Sequence, residues 1–104
     1  MSQHQIEVRS PRLGTVEVTV GFDPRLNEAF LNFFNKRTQY MSPSGLAADE
    51  LQEIAQGELG LSLPQQVIDG VQGDVADLRL GSTNVGRRIT RYAVDGAVID
   101  SHVY

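Results

Sequence analysis

The 104-residue chain carries 9 basic and 13 acidic residues, a net charge of −4, and no cysteine. Without thiols it has no disulfide framework, thiolate zinc site or cysteine nucleophile, and no apolar run approaches the ~20 residues of a membrane span. A single domain over 1–104 with one modest core follows.

The opening MSQHQIEVRS has neither the basic nor the apolar stretch of a secretion signal, which points to the cytoplasm. From Gln5 the chain alternates, with Ile6 and Val8 on one face. A turn over Ser10–Gly14 leads into Thr15–Phe22, where Val16, Val18, Val20 and Phe22 alternate with polar residues. This predicts an N-terminal β-hairpin with one buried face.

Asp23-Pro24 reads as a helix start, because Asp accepts from free amides and Pro suits the first helical position. Leu26, Ala29, Phe30, Phe33 and Phe34 then form one helical stripe, closed by Lys36 and Arg37. The three phenylalanines read as core, and Leu31, off the stripe, as an exposed contact for a partner. Thr38–Gly45 reads as a loop. A helix over Leu46–Gln56 follows, with Leu51, Ile54 and Ala55 inside and Asp49, Glu50 and Glu53 outside. A third helix starts near Pro64 and carries Val67, Ile68 and Val71, weakened by Gly70 and Gly73. Over Val75–Leu80 the alternation mildly favours a strand, and Gly81–Gly86 is a loop.

The C-terminal stretch RRITRYAVDGAVID holds the remaining pattern. Asp95-Gly96 signals a two-residue hairpin turn of type I′. That turn pairs Tyr92 with Ile99, Arg91 with Asp100, Thr90 with Ser101 and Ile89 with His102. The fold class is therefore α+β. An N-terminal hairpin, two to three central helices and a C-terminal hairpin form one antiparallel or mixed sheet of four or more strands with helices on one face. With the two hairpins side by side the arrangement is β-grasp-like.

Charge is unevenly spread. Residues 38–78 hold seven acids and no base, while 79–104 hold four arginines and two aspartates. The hairpin register gives Arg91 to Asp100, which leaves Arg87 and Arg88, with Arg79 and the amides of the Gly81–Gly86 loop, as a weak anion-binding face. That loop lacks the GxxxxGK[ST] pattern of a P-loop. Asp49, Glu50 and Glu53 form an acidic helix face suited to a basic partner.

The segment over 47–72 resembles the helix-turn-helix of bacterial regulators in its Ile54-Ala55, Leu59-Gly60-Leu61-Ser62 and Val67. The resemblance implies a DNA-binding regulator with a basic wing at 86–104. Its would-be reading helix, PQQVIDGVQGD, carries no lysine or arginine, and phosphates would be repelled. His4 and His102 stand in the two terminal strands, where with Asp100 they would make an acid–base or metal pair if the strands were neighbours. No constellation rises above chance, so no catalytic residue, metal or cofactor is assigned. The leading reading is a small non-enzymatic protein-interaction domain: a regulator, inhibitor or accessory factor. Its partner is another protein, or a second copy through the β-prone, uncovered last strand, rather than nucleic acid or membrane.

Overall fold

A computed structural model describes residues 2–79 and 88–103. Among them are six strands: β1 (Ser2–Ser10), β2 (Gly14–Asp23), β3 (Glu28–Phe34), β4 (Gln39–Met41), β5 (Arg88–Tyr92) and β6 (Val98–Val103). A 3₁₀ turn at Ala48–Glu50 runs into α1 (Leu51–Leu59), and α2 spans Gln65–Arg79. The strands form one mixed sheet in the order β4-β3-β2-β1-β5-β6, antiparallel except for the pair β1–β5. The two terminal hairpins therefore lie side by side. Among the described residues no helix is long and apolar enough to cross a membrane.

Alternation decides the sheet's two faces. Ile6 and Val8 of β1, Val16, Val18, Val20 and Phe22 of β2, and Tyr92 of β5 turn inward. The helices cover that face with Leu51, Ala55 and Leu59 of α1 and Val67, Ile68 and Val71 of α2. Two four-residue steps (Leu51, Ala55, Leu59) put one side of α1 on the sheet. α1 ends at Gly60, whose positive φ of 73° lets its amide donate back to the Gln56 carbonyl at 3.1 Å. The helix runs past Gly57, where the sequence pattern stopped it, because Leu59 still has core to fill. Between the helices, the Gln52 amide mimics a strand edge by donating to Leu63 O at 2.7 Å and accepting from Leu63 N at 2.8 Å.

The predicted first helix is a strand. Ala29, Leu31 and Phe33 of β3 are buried, and Glu28–Phe34 pairs along its length with Glu17–Asp23 of β2. Ala29 and Phe33 are four apart, so they share a face in either a helix or a strand. Leu31 decides between the two. Off the helical stripe, it is 0% exposed on the strand's inner face, whereas Leu26 is 65% exposed. Asp23 accepts a backbone hydrogen bond as anticipated, but from Arg25 N at 3.0 Å, and Asn27 takes a φ of 51°. The same capping chemistry closes a hairpin turn here instead of opening a helix. The anticipated loop over Thr38–Gly45 contains β4, where Tyr40 stacks on Phe33 with ring centroids 4.9 Å apart.

Val75 onward continues α2 rather than forming a strand. The inward series Val67, Ile68, Val71 and Val75 keeps helical spacing and packs on the core.

The closing hairpin keeps the predicted register from Arg88↔Val103 to Arg91↔Asp100 and then departs from it. Tyr92 faces Val98, not Ile99, so Ile99 is the extra residue of a β-bulge. The turn is also one residue longer than a two-residue type I′ loop. Ala93 N donates to Ala97 O at 2.7 Å, Gly96 N donates to Ala93 O at 2.8 Å, and only Gly96 has positive φ, at 93°. This is the three-residue turn with a glycine bulge, which frees Asp95 from the left-handed region.

Candidate functional site

The sequence-derived site residues that are described do not converge. Asp49 and Glu50 lie on the 3₁₀ turn and Glu53 on the first turn of α1, all exposed. Glu50 is partly occupied, since its Oε1 accepts from Ala47 N at 3.3 Å. Asp49 borders a concavity of about 710 Å³ with Phe22, Leu46, Gln72 and Val75. Arg88 opens β5, opposite Val103 and exposed. Arg87 and the Gly81–Gly86 loop lie outside the described residues, as does the side chain of Arg79, so the anion-binding face over them is not described. Arg91 is where the register placed it. Its guanidinium grips Asp100 with Nη2–Oδ2 at 2.8 Å and Nε–Oδ1 at 3.1 Å, which raises the Arg91 pKa further.

The helix-turn-helix segment becomes α1 and α2, with the apolar side of α2 spent on the sheet. Its exposed positions include Gln65, Gln66, Asp69 and Gln72, none of them basic. The hairpin read as a wing is fixed in the main sheet by β1–β5 pairing over Gln3↔Ile89 to Ile6↔Tyr92.

His4 and His102 fall on opposite faces of the sheet. His4 is level with Thr90 on the helix-covered face, while His102 pairs with Ile89 on the open one. His102 lies exposed, its Nε2 3.9 Å from Asp100 Oδ1.

His4, however, belongs to a constellation that sequence reasoning missed. Its Nε2 is 2.7 Å from Asp74 Oδ2 on α2, and its Nδ1 is 2.8 Å from the Tyr92 hydroxyl on β5. His4 is 5% and Tyr92 6% exposed. A carboxylate only accepts, so the neutral ring carries its proton on Nε2, donates it to Asp74 and accepts at Nδ1 from the Tyr92 O–H. Both ring nitrogens are then used within the protein. Burial, and then the nearby Asp74 charge, push the Tyr92 phenol pKa up, which favours the hydroxyl that donates. The cluster ties helix to sheet and leaves no ring nitrogen for a ligand. A signal was present in the sequence: His4 keeps the inward parity of Ile6 and Val8.

The sheet's margins differ. β4 is three residues long and is followed closely by Pro43, a guarded edge. β6 is six residues long and is the other end of the sheet among the described residues. Val98 and Ile99 at its start are 59% and 58% exposed, and Val94 in the preceding turn is 72% exposed. Towards the open face, Ile99 borders a shallow groove of about 540 Å³ shared with Glu7, Thr15 and Val94.

Comparison with known proteins gives no lead: no family model, curated protein or solved structure matches the chain.

Proposed function

We propose that the chain is a small protein-interaction domain, a regulator, inhibitor or accessory factor rather than a catalyst, and that it binds by strand addition at β6. The observation that carries this reading is the edge itself. It is six residues long with no strand on its outer side among the described residues, with Val98 and Ile99 more than half exposed and no lysine or proline in the strand to discourage pairing. Strand addition draws affinity from main-chain hydrogen bonds and selectivity from alternate side chains. β6 offers both, with Val98 and Ser101 towards the helix side and Asp100 and His102 towards the open face.

Selection of displayed random peptides on the domain tests this. Selected peptides should be extended and β-prone. Their binding should be lost on Ser101→Pro, which removes an edge amide, and kept when Asp49, Glu50 and Glu53 are changed together to Gln. Peptides that are basic, survive Ser101→Pro and fail on the triple Gln variant would move the function to the acidic helix face and refute the β6 reading.

A further inference from the structure

The identity of the added strand rests on strand addition at β6. We propose that the occupant of the β6 edge is β6 of a second copy of this chain, paired antiparallel about a two-fold axis at Ser101. Among the described residues the sheet order leaves β6 at the end, so the pairing joins the two sheets into one.

The register follows from ladder geometry. In an antiparallel ladder, alternate residues point their amide and carbonyl to the same side. Two copies of one edge therefore pair residues of like parity, and the axis must pass through a residue that faces itself. Ile99 is the bulged residue, so the regular part of the ladder is Asp100–Val103, and the axis falls there. An axis at Asp100 sets two carboxylates opposite each other, a destabilising pair. An axis at His102 sets imidazole against imidazole, a pair that repels when both rings are protonated. An axis at Ser101 sets Asp100 opposite the partner's His102, and His102 opposite the partner's Asp100. Each carboxylate then meets one ring N–H donor, and the two-fold axis makes the contact twice.

The two side chains are already on one face: within one chain His102 Nε2 lies 3.9 Å from Asp100 Oδ1, too long for a hydrogen bond. Arg91 holds Asp100 from behind and fixes its direction. On the other face Ser101 meets its own copy, a small hydroxyl pair that lets the backbones close. Its Oγ already lies 3.2 Å from Thr90 Oγ1.

The chain's lack of cysteine makes the test clean. Ser101→Cys, Asp100→Cys and His102→Cys are prepared singly and oxidised mildly, and the last two are also mixed. Ser101→Cys should form a covalent dimer at least about tenfold faster than either neighbour alone, because in a single variant only a self-facing residue brings its two copies within disulfide reach. The mixture of Asp100→Cys and His102→Cys should link as well. Self-linking by Asp100→Cys or His102→Cys with Ser101→Cys silent would overturn the register while leaving self-pairing in place. A wild-type chain that stays monomeric at high concentration, yet still selects β-prone peptides lost on Ser101→Pro, would overturn the second copy while leaving strand addition standing. The substitutions sit on an exposed edge, and retention of the native unfolding midpoint checks that each variant is folded.

Discussion

Gly70 and Gly73 stand three residues apart in α2 and look alike in the sequence, where both weaken a helix. Their surroundings separate them. A Cβ on Gly73 would meet nothing within 4 Å, whereas one on Gly70 would sit 2.6 Å from the Tyr92 hydroxyl and 2.7 Å from the His4 ring. Gly73→Ala should therefore stabilise the fold by ~0.5–1 kcal/mol through helix propensity. Gly70→Ala should destabilise it by ~1–3 kcal/mol, because the rings it strikes are buried and bonded to each other. Urea unfolding of the two variants checks the opposite signs, and equal shifts would refute the close packing around His4. The same cluster sets the alkaline limit. The Tyr92 pKa is raised in the folded state, so its contribution is present in full below the unfolded value of 10.0 and is lost as pH rises through the folded value. The urea midpoint should fall above about pH 10. Tyr92→Phe should flatten that fall, while lowering stability near neutrality by ~1–3 kcal/mol, since His4 Nδ1 is left buried without a donor.

At the scale of elements, β3 is the instructive case. A helix over Leu26–Phe34 and a strand over Glu28–Phe34 agree on Ala29 and Phe33 and disagree on Leu26, Leu31 and Phe34; the helical stripe puts Phe34 in the core, and the strand leaves it 54% exposed. Leu31→Ala should cost ~2–5 kcal/mol, as for a fully buried leucine, while Leu26→Ala should stay within ~0.5 kcal/mol. Chemical unfolding measures both, and the reverse order would restore the helix. The strands β1 and β2 were legible because alternation permits one reading, and most of the β5–β6 register because Asp95-Gly96 marks the turn. β3 was not, because two periods coincide over seven residues and pairing with β2 settles the choice. The site was legible only where partners are close in sequence, as with Arg91 and Asp100 across one turn. His4, Asp74 and Tyr92 are drawn together by the parallel β1–β5 pairing and by α2, and no local spacing encodes that.

Taken as a whole, the molecule is electrically two-sided. Residues 46–79, the helical layer, hold Asp49, Glu50, Glu53, Glu58, Asp69, Asp74 and Asp77 against Arg79 alone, for −6, and the rest of the chain totals +2. Antiparallel pairing of two β6 edges needs a two-fold axis perpendicular to the sheet, so both helical layers come to lie on the same side. Two layers of −6 repel, and so do two chains of −4 at a distance. The attractive terms are backbone hydrogen bonds, apolar contact at Val98 and Ile99, and the Asp100–His102 contacts within the joined edge. Screening acts unequally on these. The Debye length falls from about 30 Å at 0.01 M salt to about 8 Å at 0.15 M, which quenches layer–layer repulsion but barely reaches a contact at hydrogen-bond distance. Self-association should therefore tighten with salt, by a few-fold over that range, and level off above it. Sedimentation equilibrium at increasing salt, with chain concentrations up to ~1 mM so that an association of only about 4 kcal/mol is visible, measures this. A steady weakening with salt would mean that exposed ion pairs hold the copies together, and would place the interface on the oppositely charged helix and sheet sides rather than on β6.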